Sequence, residues 1–139
     1  MKVTELMIGD WVLINDIPHK IQTINSIDSE IQADSELYYE NKIESIPLTP
    51  EILEKNGWCL RPVIAASPDI SVQWFYIDDA INIFLQFPTK QSAGLLGIFD
   101  EQIIRSLSNF IWKDTLYVHE LQHLLRLCGL NYIADNFKI

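Results

Sequence analysis

The sequence predicts an α+β protein of two parts, residues 1–48 and 49–139, and leaves open whether they pack as one unit. Three observations predict this fold class. Short segments that alternate apolar and polar residues crowd the first part, longer β-type segments fill much of the second, and one amphipathic helix signal closes the chain. With 139 residues, 48% of them hydrophobic, the chain is long enough to bury a core.

The first part has the pattern of a small antiparallel barrel. The turn residues Asn15-Asp16 separate an apolar run from a segment with period-two alternation, which predicts two strands joined by a turn. The opening Ile8-Gly9-Asp10-Trp11-Val12 resembles the first strand of SH3-like barrels, the KOW type among them. We therefore expect an SH3-like β-barrel over residues 1–48. The predicted strands lie at residues 6–14, 19–25 and 31–33, with one or two more at 38–39 and 43–46.

A short linker helix is predicted directly after this barrel. Pro47 and Pro50 disfavour helix at the residues before them, so they mark a boundary. Thr49 suits the N-cap, Pro50 suits the first helical position, and Asn56-Gly57 supplies a C-terminal stop. The prediction is a two-turn helix over Pro50–Lys55.

The following segment predicts an antiparallel meander, because its apolar runs are rich in β-branched and aromatic residues. We interpret Asp78-Asp79, between two strong strands, as a solvated turn rather than a catalytic pair. Residues 88–97 are predicted to be a loop. Residues 100–107 are predicted to be a short helix, although their apolar spacing fits a strand almost as well. The predicted strands are residues 59–65, 70–77 and 80–87, with a short apolar run at 110–112 before the final helix.

The final helix, residues 116–128, is the strongest helical signal of the chain. Asp114 or Thr115 suits its N-cap, and Gly129 suits the left-handed position after its end. We expect its apolar face to pack on the second sheet, because the helix follows that sheet directly. At about 100° per residue, that face consists of Val118, Leu121, Leu124, Leu125 and Cys128.

The opposite face of this helix carries His119, His123 and Arg126. The stretch His119-Glu120-Leu121-Gln122-His123 matches the H-E-x-x-H pattern of zinc metalloproteases. In a zinc-dependent hydrolase, His119 and His123 would bind the metal and Glu120 would act as general base. The site would need a third ligand, either Asp135 or a residue of the barrel. Another segment, such as the barrel, would also have to cover this face. The competing interpretation is a structural helix whose histidines contact solvent or neighbouring loops.

Charge and cysteine content bear on the class of partner and the compartment. Ten basic and nineteen acidic side chains give a formal net charge of -9, which opposes docking on nucleic acid or anionic lipid. Two cysteines without a C-x-x-C pattern predict reduced thiols. The N-terminus lacks the apolar core of a signal peptide, and no apolar run reaches the length of a membrane helix. These features predict a cytoplasmic protein.

Three segments resemble the landmarks of a family of small uncharacterised proteins of anaerobic gut bacteria and their prophages. They are residues 6–12, 46–58 and 117–123, in the family's order, and they leave residues 60–115 largely unmatched. The family has no assigned activity, so the resemblance transfers no catalytic residue. It implies a mobile-element context. It also implies that similar proteins carry Asn at the position of His123, which an obligatory zinc ligand would not permit.

We therefore expect a non-enzymatic, cytoplasmic accessory protein, phage- or mobile-element-related, that acts through contacts with a protein partner. This reading assigns no catalytic residue, metal ligand or cofactor, and it leaves the oligomeric state open. Candidate contact residues are exposed aromatic side chains and the acidic surface of the barrel. The alternative functions are the zinc-dependent hydrolase and, second, a nucleic-acid-binding SH3-like module, which the missing basic surface disfavours.

Overall fold

A computed structural model of the chain describes residues 1–61, 72–76, 83–88, 94–98, 111–113 and 116–139. The chain divides into two compact units, one formed by Met1–Leu48 with Tyr117–Ile139 and the other by Thr49–Leu116. Each unit contains an antiparallel sheet of five strands, and short helices accompany the sheets, which confirms the α+β class. Within the described ranges, no helix has the length and apolar character needed to cross a membrane.

The sheet of the first unit has the strand order β4-β3-β2-β1-β5. Its edges are β4 and β5, so the sheet is not closed and the predicted SH3-like barrel is not confirmed. All four strand pairs are antiparallel. The strands are β1 (Trp11–Ile14), β2 (Ile17–Asn25), β3 (Glu30–Ala33), β4 (Glu36–Tyr39) and β5 (Ile43–Ser45).

Two tight turns of this sheet follow directly from local sequence. Asn15 and Asp16 have φ of 52° and 64°, and Asp34 and Ser35 have φ of 50° and 69°. A two-residue hairpin loop with positive φ at both positions matches the twist of its strands, and Asn and Asp tolerate this conformation well. The predicted turn at Asn15-Asp16 is therefore confirmed, and Asp34-Ser35 forms a second turn of the same kind.

The first strand is shorter than the predicted 6–14, because residues 7–10 form a turn. Gly9 has a φ of 90°, and the Asp10 N–H donates to the Met7 carbonyl oxygen at 3.1 Å. A positive φ at the third position of a turn favours glycine. The turn is fixed against β2, since the Gly9 N–H donates to the Ile21 carbonyl oxygen at 2.8 Å. This turn points the Asp10 side chain into the interior of the unit, directly before β1 begins.

The core of the first sheet consists of aliphatic side chains that alternate with outward-facing residues along the strands. This alternation is what one buried sheet face requires. Half-buried Met1, Ile24 and Tyr38 pack against it. The buried cluster comprises Val3, Leu6, Val12, Ile14, Ile21, Ile31, Ala33 and Ile43.

The linker helix of the second unit, α1 (Pro50–Lys55), has the predicted bounds. The Thr49 hydroxyl accepts a backbone N–H of the first turn, as an N-cap does. Gly57 has a φ of 81°, and the Trp58 N–H donates to the Leu53 carbonyl oxygen at 3.0 Å. This is the hydrogen bond of a Schellman motif, so both predicted ends of the helix are confirmed.

The sheet of the second unit is an antiparallel meander of order β10-β9-β8-β7-β6, as predicted. Residues 94–97 were predicted to be loop but lie in β9, because β9 pairs with a strand on each side and this pairing overrides the two glycines. Asp78-Asp79 and residues 100–107 lie outside the described residues. The strands are β6 (Cys59–Arg61), β7 (Val72–Tyr76), β8 (Ile83–Pro88), β9 (Gly94–Ile98) and β10 (Ile111–Lys113).

The final helix, α2 (Val118–Leu127), is followed by α3 (Asn131–Asp135), and both belong to the first unit. There α2 contacts β1 and α3, which corrects the expected packing on the second sheet. The N-cap is Tyr117, so the helix begins later than the predicted residue 116. The predicted stop at Gly129 is confirmed by its φ of 77°. Chain proximity suggested the wrong sheet, whereas the contacts of α2 join residues more than a hundred positions apart.

Gly9→Ala should lower the free energy of unfolding by about 1–2 kcal/mol or more, because an L side chain is strained at positive φ. A Cβ at Gly9 would also lie 3.0 Å from Nη2 of Arg126. Gly129→Ala is the matched control, since its φ is also positive but nothing lies within 4 Å of the added Cβ. Urea unfolding of both variants measures the difference. Equal losses would contradict a close approach between the turn and Arg126.

Candidate functional site

The polar face of α2 meets the carboxylate of Asp10, whose side chain is 0% exposed. Its Oδ2 accepts the Met7 N–H at 2.8 Å and lies 2.6 Å from Nε2 of His123. Its Oδ1 accepts a hydrogen bond from Nη1 of Arg126 at 2.6 Å. A buried carboxylate is costly unless it is paired and hydrogen-bonded, and here both oxygens are engaged.

Helical spacing explains why two side chains of α2 reach the same carboxylate. His123 and Arg126 are three residues apart, so they lie on one face of the helix. Because an ionised carboxylate only accepts hydrogen bonds, the Nε2 atom of His123 donates to Asp10. Arg126 extends the contact further, since its Nη2 donates to Oδ1 of Asp135 at 3.4 Å. The main-chain oxygen of Asp135 accepts a hydrogen bond from Lys20 of β2.

Gln122 forms a second link beside this ion pair, and its side chain is fully buried. Its Oε1 accepts the Trp11 N–H at 3.0 Å, while its Nε2 donates to the carbonyl oxygens of Gly9 at 3.0 Å and Ala134 at 2.9 Å. Both amide hydrogens and the amide oxygen are therefore used. One side chain satisfies backbone groups at the N-terminal turn and in α3, where an unmet polar group would be costly.

Trp11 connects the same regions through its indole. Its Nε1 donates to the carbonyl oxygen of Phe137 at 2.8 Å. The N-terminal turn, α2 and the C-terminal residues are thus joined by hydrogen bonds between residues 111 to 126 positions apart. We call Asp10, Trp11, Gln122, His123 and Arg126 the polar clamp.

The remaining residues of the H-E-x-x-H pattern cap and pack the helix. Glu120 accepts the Tyr117 N–H on its Oε2 at 3.1 Å, which satisfies a donor at the helix start. His119 is buried and lies parallel to the Tyr117 ring, with centroids 5.9 Å apart. Its ring also meets the edge of His123, with centroids 5.7 Å apart. The N-terminal turn packs over the polar face of α2, the face that a zinc site would require another segment to cover.

The three alternative zinc ligands lie against different partners. His123 faces Asp10, Asp135 faces Arg126, and His119 packs between two rings. Within the described part of the chain, no group of three or more His, Cys, Asp or Glu side chains is arranged to hold a metal ion. Tetrahedral zinc needs at least three protein ligands that converge on one point. The residues that the pattern proposed therefore do not fit that geometry.

Sequence reasoning missed the central residues of the polar clamp. Asp10 was placed in a strand and Gln122 was treated as a spacer of the pattern. A signal was present, because two landmarks of the family resemblance, residues 6–12 and 117–123, are the segments that meet here.

Comparison of the chain with family models, curated proteins and solved structures found no match. The evidence for the structural roles of Asp10, Gln122 and His123 is therefore the geometry of their contacts. That geometry holds two distant segments together, and it uses the polar groups of the helix to do so.

Asp10→Asn should lower the free energy of unfolding by about 1.5–3 kcal/mol, the usual range for a hydrogen bond to a charged group. The substitution keeps the shape of the side chain but removes the charge that faces His123 and Arg126. Asp16→Asn is the matched control, because Asp16 is an exposed turn residue that accepts the same change. Chemical unfolding followed by tryptophan fluorescence measures both. Equal stability of the two variants would contradict the proposed role of Asp10.

Proposed function

We propose that this chain is a non-enzymatic accessory protein of the cytoplasm, phage- or mobile-element-related, that acts by binding another protein. The observation that carries the proposal is the contrast between the two sides of the first unit. The polar side chains of α2 make contacts within the unit. The sheet, in contrast, exposes large apolar side chains to solvent. Exposed apolar groups beside polar ones are typical of interaction surfaces.

The first unit exposes several large apolar side chains. Leu37 and Tyr39 of β4 are 64% and 60% exposed, and Ile27 in the loop between β2 and β3 is 91% exposed. Single exposed apolar residues are ordinary, but here three of them lie within thirteen positions. Among the residues whose exposure the structure describes, the large exposed apolar side chains are Met7, Ile8, Ile17, Ile27, Leu37, Tyr39, Leu127 and Tyr132.

We further propose that the first unit is SH3-like in its curvature. β2 is nine residues long, and it pairs with β1 over residues 17–20 and with β3 over residues 21–25. A register shift between Ile21 and Thr23 lies within the pairing with β3, next to the point where the pairing with β1 ends. A bulge in a shared strand bends a sheet, which is how small barrels turn their corners. These features support the barrel interpretation.

The charge of this unit supports a protein partner over nucleic acid. Residues 1–48 carry eight acidic side chains besides the buried Asp10, and three lysines. Such a surface repels phosphate backbones and anionic lipid headgroups, and it attracts basic protein surfaces. An acidic surface that also exposes Leu37 and Tyr39 offers both the charge and the apolar area that a protein interface uses.

Photo-crosslinking in the native host tests this function. A photoreactive residue is placed at Ile8, Ile27, Leu37 or Leu127, one position at a time, in the full-length chain. We expect one protein to be cross-linked from positions that share a surface and not from the others, because specific interfaces cover a limited patch. Asn15, an exposed polar turn position, serves as the control site.

The proposal fails if no position yields a specific cross-link and the purified chain also scores in a hydrolase screen. A hydrolase signal would count only if Glu120→Gln abolished it while the variant remained folded. The same screen with Asp16→Asn controls for contaminating activity, since that exposed residue lies outside the polar clamp.

A further inference from the structure

The edge strand β4 offers backbone groups to which another chain can pair. It is the last strand of its sheet and pairs with β3 along one side. An edge strand presents N–H and C=O groups on its outer side, which form a template for a further strand. Protein partners use such edges by adding an extended segment to the sheet.

The side chains of β4 give this edge an apolar exposed face. Leu37 and Tyr39 are two positions apart, so they project from the same face of the sheet, opposite to Tyr38, which packs against the core. Their cross-strand neighbours are Gln32 and Glu30. A strand added beside β4 would place every second side chain next to Leu37 and Tyr39.

Acidic side chains predominate along this edge, where Asp34 also contacts Nδ1 of His19 at 2.6 Å. Residues 25–40 contain five acidic side chains and neither Lys nor Arg, and the acids are Asp28, Glu30, Asp34, Glu36 and Glu40. The Tyr38 hydroxyl donates to Oε2 of Glu36 at 2.8 Å, and this bond raises the pKa of Tyr38. A hydrogen bond to Glu30 likewise raises the pKa of Tyr39. Both tyrosines therefore stay neutral donors at physiological pH, and the net charge of the edge comes from the carboxylates.

The negative charge of β4 and its neighbours favours one class of binding partner over the others. A second copy of the chain would bring its own five carboxylates against these, and like charges opposed across strands are destabilising. A nucleic acid would be repelled for the same reason. An extended segment with Lys or Arg gains attraction from the carboxylates while its apolar residues contact Leu37 and Tyr39.

We propose that β4 binds an extended, basic segment of a partner protein, which adds as a further strand with its apolar side chains beside Leu37 and Tyr39. This inference rests on the proposed function, since it names the surface and the chemical class of the partner. The segment pairs through backbone hydrogen bonds for affinity. Its positive charges supply selectivity.

The test uses a fluorescent peptide of about ten residues that alternates Lys and Val, long enough to span one strand. Binding to the full-length chain is followed by fluorescence anisotropy at about 50 and 300 mM NaCl. We expect the affinity to exceed that of a Glu/Val peptide by about tenfold or more and to fall with salt. A Lys/Val peptide with alternate N-methylated amides should lose binding, because it cannot complete the ladder.

The double variant Leu37→Lys with Tyr39→Lys should weaken peptide binding by about tenfold, because it removes an apolar contact and adds charge repulsion. Its matched control is Ile8→Lys with Ile17→Lys, which adds the same charge at positions 62% and 58% exposed outside β4. The control should retain most of the affinity. Circular dichroism verifies that both variants fold.

Three results would overturn the inference. If the two double variants weakened peptide binding equally, general charge attraction would explain the binding, and no role of β4 would be needed. The chain could instead form a concentration-dependent dimer. If the double variant Leu37→Lys with Tyr39→Lys abolished that dimer, the edge would be assigned to a second copy of the chain. Absence of Lys/Val peptide binding, with a specific cross-link still obtained in the host, would refute this inference and leave the proposed function standing. Absence of both would refute this inference, and a hydrolase signal that Glu120→Gln abolishes would then refute the proposed function as well.

Discussion

The buried carboxylate of Asp10 is the constraint on which the first unit depends. A charge in that position is tolerated only with partners for both oxygens, and His123 and Arg126 supply them from the far end of the chain. Gly9 makes the approach possible, because its positive φ and missing Cβ let the turn lie close to Arg126. The position of α2 thus follows from a polar contact as well as from its apolar face.

This contact changes the meaning of the H-E-x-x-H pattern. Two histidines one turn apart, with a glutamate between them, are equally suited to cap, pack and pair a structural helix. The polar clamp also makes the first unit discontinuous, since Tyr117–Ile139 joins Met1–Leu48 while Thr49–Leu116 forms a second unit. The surface that we propose for a partner is the acidic sheet edge at β4, where Leu37 and Tyr39 are exposed.

Local chemistry allowed much of the fold to be predicted from the sequence. The α1 bounds, the Gly129 stop and the hairpin turn at Asn15-Asp16 each depend on residues within a few positions, and all are confirmed. The assignment of α2 to the first sheet was not predicted, because it depends on side chains more than a hundred positions apart. Strand β9 was missed because its glycines suppress the local signal while its pairing is long-range.

Zinc dependence of stability tests the central claim most directly. The chain is purified without added zinc, its metal content is measured, and it is unfolded by urea with EDTA or with about one equivalent of zinc. If the helix is held by Asp10, bound zinc stays below about a tenth of an equivalent and the unfolding midpoint is the same in both conditions. About one equivalent of tightly bound zinc, lost in His123→Asn together with the stability it confers, would contradict the account.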